Sequence, residues 1–136
     1  MQTVSPFAAL TQPIRKAQDL AQAAELLAQT AEREGYRIVA VHPLFQYAGE
    51  EYQGPRVVTL ELDAPKLYQA FVTSRPEIGL VLPMRVTLFE KEGVLWVSML
   101  DISVYRGFLG ELSLEASRML DWLEVTQEIL LRALTG

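Results

Sequence analysis

Arg75-Pro76-Glu77-Ile78-Gly79-Leu80-Val81-Leu82-Pro83-Met84-Arg85-Val86 is the part of the chain with the least conformational freedom. Pro76 fixes one backbone angle, Gly79 is read as permitting a conformation closed to other residues, and Pro83 leaves a strand position without a donor. The apolar run that follows leads through Lys91-Glu92-Gly93 into a second one. Two strands are expected, about Leu80 to Glu90 and Val94 to Asp101, joined by a glycine-containing hairpin. Leu82, Met84, Val86 and Leu88 share one face of the first, and Val94, Trp96, Ser98 and Leu100 share one face of the second.

Upstream, Arg56 to Leu62 alternates as a half-buried strand with Val58, Leu60 and Leu62 inward. Asp63-Ala64-Pro65 then starts a short helix carrying Leu67, Ala70 and Phe71 on one side, which ends between Ser74 and Gly79. Tyr36 to Val41 is β-branched and reads as another strand, with Leu44-Phe45 continuing it on the edge. Tyr47 to Pro55, with two glycines, reads as an exposed loop. Thr11-Gln12-Pro13 has the form of a helix start. Ile14, Ala17, Leu20, Ala24, Leu27 and Ala31 recur at helical spacing behind it, and Gly35 stands where a left-handed residue ends a helix. Residues 2–10 read as a short edge strand or packed arm. Downstream, Tyr105 to Gly110 reads as a linker with two glycines. Ser113 caps a last helix running to about Leu134, with Leu112, Ala116, Met119, Leu120, Leu123, Leu130 and Leu134 as its core stripe. Trp122, Val125 and Ile129 form a second apolar line.

Strands grouped between covering helices indicate an α+β fold. The sheet is expected to be mainly antiparallel with about four to six strands, packed with two long helices and one short one. The 136 residues, half of them hydrophobic, suit a single domain over 1–136 with one core. A net charge of −5 argues against nucleic-acid binding, which needs a basic surface to displace counterions. Without cysteine the chain has no disulfide, thiolate metal site or cysteine nucleophile, and His42 is its one histidine, so no metal or cofactor is expected. No secretion signal or apolar span is visible, so no membrane partner is expected and a cytoplasmic location follows by default. The absence of asparagine and the excess of arginine over lysine hint at a thermophilic or GC-rich source.

Pro76-Glu77-Ile78-Gly79-Leu80-Val81-Leu82-Pro83, with Met84-Arg85-Val86 and the hairpin to Val97-Ser98, resembles the central signature of the domain of unknown function 302 family. Gly35-Tyr36 and the strand into Asp63-Ala64-Pro65 are similar to further parts of that family, so the likeness spans about residues 14–134. The resemblance implies a TATA-binding-protein-like fold: a curved antiparallel sheet with helices on one side, a likeness of fold that predicts no DNA binding. It carries no established activity and makes a homodimer plausible. Met84 stands where the family often has cysteine, which removes thiol chemistry from this member. Asp63-Ala64-Pro65 replaces the family's Asn-Pro and keeps a helix cap.

Several residues are candidates for a site. Glu77, Arg85 and Asp101 are a candidate polar cluster on one side of the sheet, in which the Arg85 guanidinium can hold a carboxylate or phosphate through two hydrogen bonds. The bland alternative is an ion pair or a solvated face. Bare backbone around Gly79 and Pro83 offers a ligand edge, or merely punctuates the chain. His42 is a candidate base or, more simply, a strand-end histidine without an orienting partner. Tyr68, with Tyr47, Tyr52 and Tyr105, either lines a pocket or packs in an ordinary way. Trp122, Val125 and Ile129 exceed what covering one sheet requires and suggest a dimer interface.

No catalytic triad, metal motif or phosphate loop is present. The leading expectation is therefore a small homodimeric module that binds a small molecule and catalyses nothing. The alternative is an enzyme using Glu77, Asp101 or His42 with Arg85 as anion clamp, and a third class is a regulatory partner domain in a larger complex.

Overall fold

A computed structural model describes residues 9–136 together with the backbone of Thr3 and Val4. Strands β1 (Thr3–Val4), β2 (Ala9–Pro13), β3 (Arg37–His42), β4 (Val57–Asp63), β5 (Met84–Lys91) and β6 (Val94–Leu100) form one sheet in the order β1-β2-β6-β5-β4-β3. Every neighbouring pair is antiparallel, so the α+β reading is what is found. The arm expected over residues 2–10 falls largely outside the described residues.

The two long helices, α1 (Leu20–Arg33) and α5 (Leu114–Thr135), pack on each other and on the sheet. Leu60, Leu62, Met84, Val86, Leu88, Val97 and Met99 point into this core, where they meet Leu27, Ala31, Leu120, Leu123 and Leu130. The alternation of β4, β5 and β6 dictates this arrangement: every second residue is apolar and buried or, at Val58 and Leu95, partly buried, and the residues between them lie on the opposite face. Ser113 caps α5 by accepting a hydrogen bond from the Ala116 amide at 3.1 Å. Lys91 and Val94 pair across a two-residue turn in which Glu92 and Gly93 both have positive φ (55° and 78°), as a type I′ hairpin demands.

Several expectations need correction. The first long helix begins at Leu20, not at Thr11-Gln12-Pro13; those residues belong to β2, where Pro13 stands opposite Trp96. The true cap is Asp19, whose carboxylate accepts from the Gln22 amide at 2.8 Å, while the Gln22 side chain accepts from the Gln18 amide at 2.8 Å. This exchange resembles a capping box, in which a cap residue and one three positions on satisfy each other's amides. Leu44–Tyr47 is a one-turn helix (α2) and does not prolong β3. Between the short helix α3 (Pro65–Phe71) and β5, residues Pro76–Leu80 form a 3-10 turn, so the strand starts at Met84 and not at Leu80. Ile78 and Leu82 are both buried, and their separation of four residues is that of a helical turn. The Leu82–Pro83 peptide bond is cis. Gly79 has no positive φ, and an added Cβ there would meet no atom within 4 Å, so no special conformation requires it. Gly35, at φ +99°, does end α1 in the left-handed region.

Residues 105–110 are not a linker. Helix α4 (Ser103–Leu109) occupies them, started by the Asp101 carboxylate, which accepts from the Ser103 amide at 3.0 Å, and closed by Gly110 at φ +70°. The described residues thus contain three short helices where one is expected from the sequence. Among the described residues no helix is long and apolar enough to cross a membrane.

Candidate functional site

The face of the sheet opposite the two long helices carries three distinct bands. At one side Phe89 and Trp96 stack with ring centroids 6.4 Å apart, between Val57 and Pro13 in the same row. In the middle, the register aligns Thr11, Ser98, Thr87, Thr59 and His42 across five strands. Thr11 and Ser98 hydroxyls lie 2.9 Å apart, and those of Thr59 and Thr87 2.8 Å apart. These are the cross-strand pairs in which hydroxyls satisfy one another.

The third band is charged. Arg85 on β5 stands opposite Glu61 on β4. Glu61 Oε1 accepts from Arg85 Nε at 3.1 Å and is in ion-pair contact with Nη2 at 2.9 Å, and Glu61 Oε2 lies 3.4 Å from His42 Nε2. His42 Nδ1 is 3.1 Å from the Tyr47 hydroxyl. With the imidazole proton on Nε2, facing the carboxylate, Nδ1 accepts from the Tyr47 O–H, so both ring nitrogens are engaged. Two residues along β4, Asp63 takes a two-pronged contact from Arg37 (Nε 2.5 Å, Nη2 3.4 Å) and accepts from the Tyr68 hydroxyl at 3.3 Å. Partial burial, then the charge of Asp63, raises the Tyr68 pKa, and the bond to Asp63 raises that of Arg37. In both pairs the acid is sheltered and the base is outermost. The side chains of Glu61 and Asp63 are 15% and 7% exposed, those of Arg85 and Arg37 56% and 65%.

The other proposed residues lie in different settings. Asp101 is engaged at the start of α4. Glu77 is exposed in the 3-10 turn and lines a cavity of about 320 Å³ with Ser74, Arg75, Phe108 and Leu109. Gly79 is exposed, and Pro83 is half-buried ahead of β5. Trp122 packs on Tyr36 at 4.8 Å between centroids, with the Lys66 ammonium 3.6 Å above its ring, while Val125 and Ile129 stand 60% and 36% exposed. The structure therefore joins Arg85 to His42 through Glu61, while Asp101 is bonded at the start of α4 and Glu77 stands exposed on the 3-10 turn. Asp63 does not cap α3: its carboxylate is taken by Arg37 and Tyr68, and the residue at the helix start is Ala64, with proline in the first turn. Glu61 and Arg37 were not singled out from sequence. The one local signal for Glu61 was its outward position in the alternation of β4.

The model for the domain of unknown function DUF302 matches residues 11–131. The chain belongs to the DUF302 family. A DUF302 protein from Bacillus stearothermophilus, described as an uncharacterized conserved protein, has a similar crystal structure with TM-score 0.77 and 15% sequence identity. The likeness covers 96% of this chain and 99% of that one, and at that identity it speaks to the fold alone. No curated protein matches the chain. DUF302 membership assigns no reaction, so any function rests on the geometry of this member.

Proposed function

We propose that this DUF302 protein is a non-catalytic binding module whose working surface is the open face of the sheet, with Arg85 as the anchor for an anionic group of a small-molecule ligand. The observation that carries the reading is the Arg85–Glu61 pair. A sheltered carboxylate fixes the guanidinium by Nε and Nη2, and more than half of the arginine side chain stays in water with its remaining donors. A guanidinium held in this way loses little rotamer freedom when it takes a carboxylate or phosphate. His42, Thr59 and Thr87 supply neighbouring polar groups in adjoining rows.

The enzyme alternative is less well supported. A general base needs a free lone pair within reach of substrate, and His42 has one nitrogen against Glu61 and the other against Tyr47. The proposal includes a homodimer built on the α5 line of Trp122, Val125 and Ile129, supported by the exposure of the last two. It also includes a cytoplasmic location, the default for a chain in which no secretion signal or apolar span is visible.

Calorimetric titration with succinate and with inorganic phosphate tests the reading. Wild-type protein is expected to bind at least one of them, and Arg85→Gln, folded by circular dichroism, to bind at least about ten-fold more weakly. Equal affinity in the two proteins, or no binding of either anion by the wild type at about 10 mM, overturns it.

A further inference from the structure

We propose a second binding site, distinct from the sheet face: the cavity between the 3-10 turn and the end of α4 receives a zwitterion with an apolar side chain, that is, a free hydrophobic α-amino acid. Its walls are Ser74, Arg75, Glu77, Phe108 and Leu109, and its volume of about 320 Å³ lies at the small end of the range for small-molecule pockets.

The argument rests on two unpaired charges. The Arg75 guanidinium donates only to backbone carbonyls: Nε to Leu109 at 3.2 Å, Nη1 to Ser74 at 2.9 Å and Nη2 to Glu111 at 2.7 Å. A guanidinium has five N–H groups, so two remain after these three bonds. No carboxylate among the described residues forms an ion pair with Arg75, which in this resembles Arg15, Arg33, Arg56 and Arg118 and differs from Arg37, Arg85, Arg106 and Arg132. Glu77 lines the same cavity and has no ion pair or hydrogen bond to another described residue. The two opposite charges, only two residues apart in sequence, therefore face one cavity without meeting each other.

Their separation follows from the local backbone. Pro76 starts the 3-10 turn directly after Arg75, the buried Ile78 anchors that turn in the core, and the two bonds to the Leu109 and Glu111 carbonyls hold Arg75 toward the end of α4. Glu77 is left on the solvent side of the turn. A ligand carrying both a carboxylate and an ammonium complements the pair: the carboxylate accepts from the two spare N–H groups of Arg75, and the ammonium donates to Glu77. Phe108, 45% exposed although aromatic, and Leu109 supply an apolar wall for the side chain. Four consecutive elements of the signature thus acquire one role, with Arg75 and Glu77 contacting the ligand and Pro76 and Ile78 setting their distance.

The test is a calorimetric comparison of L-phenylalanine, N-acetyl-L-phenylalanine, which lacks the ammonium, and phenethylamine, which lacks the carboxylate. L-Phenylalanine is expected to bind most tightly, each analogue about ten-fold more weakly. Arg75 ties two segments together, so its replacement can disturb α4. Glu77→Gln removes an exposed charge with no internal partner and should leave the melting temperature unchanged while weakening L-phenylalanine about ten-fold. Arg85→Gln should leave that affinity unchanged, which separates this site from the sheet face. Indifference to the Glu77 substitution, equal binding of the three compounds, or no binding of L-phenylalanine at about 10 mM overturns the assignment.

Discussion

Tyr36 and Thr126 form a buried polar contact between the start of β3 and the middle of α5, and breaking it from each side should cost different amounts. Both side chains are almost fully buried, and their oxygens lie 2.6 Å apart. The Thr126 hydroxyl also lies 2.9 Å from the Trp122 carbonyl. A carbonyl only accepts, so the single Thr126 proton points there and the Tyr36 O–H donates to Thr126 Oγ1. Burial pushes the Tyr36 pKa well above its ordinary value, which keeps that proton in place. Tyr36→Phe then removes one neutral hydrogen bond and leaves Thr126 still donating, a loss of about 1 kcal/mol. Thr126→Val keeps the shape but strands a buried phenol donor, at about 1–3 kcal/mol. The double variant has no stranded group, so its cost should fall below the sum of the singles by about 1 kcal/mol. With an unfolding entropy of about 2.1 cal/mol/K per residue over 136 residues, each kcal/mol lowers the melting temperature by about 3.5 °C. Urea titrations followed by far-ultraviolet circular dichroism give all four free energies. A Thr126→Val protein more stable than Tyr36→Phe, or strictly additive costs, would refute the donor assignment.

Other outcomes follow from local geometry. Glu92 has φ +55° at the first position of the β5–β6 turn, where asparagine is better tolerated, so Glu92→Asn should raise stability by about 0.5–1 kcal/mol in a thermal melt. Ser113→Ala removes the α5 cap and should lower it by about 1 kcal/mol. Burial pushes the Tyr105 pKa up to about 12 and raises that of Tyr36 as well. The unfolded chain loses these protons first, so the stability they confer is complete below pH 10 and falls as pH rises toward 12, by about 1.4 kcal/mol per unit for each fully responding tyrosine. Tyrosinate absorbance from these two residues should appear together with the loss of far-ultraviolet signal, and its appearance in a folded protein at pH 10 would contradict their burial. Sedimentation at tens of micromolar should show a dimer that Val125→Glu with Ile129→Glu converts to monomer; a wild-type monomer removes the α5 interface.

What could be read in advance depended on how local each signal was. The last helix and the β5–β6 hairpin are encoded within a few residues, by Ser113 before an amphipathic run and by Glu92-Gly93 between alternating strands. The start of α1 is hidden in the sequence because Thr11-Gln12-Pro13 imitates a cap, whereas Asp19 and Gln22 satisfy the amides. Thr11 and Pro13 are claimed by β6, a strand more than 80 residues away, and local propensity cannot register that competition. Helix α4 reads as a linker in the sequence because Gly107 and Gly110 look alike there, although only Gly110 has a positive φ. The charged band was the least legible part. The sequence marks Arg85 only as a candidate anion clamp, and its partner follows from the β4–β5 register, which sets Glu61 beside it and His42 one strand beyond. That register depends on the burial of Leu60, Leu62, Met84 and Val86 on the other face, so the core fixes the site at long range.

Amide chemical-shift mapping of the ¹⁵N-labelled protein during a succinate titration tests the working surface directly. The open-face account predicts saturable shifts concentrated at Ala40, His42, Glu61, Arg85 and Thr87, with α5 silent. Shifts confined to α5 or scattered without saturation would contradict it.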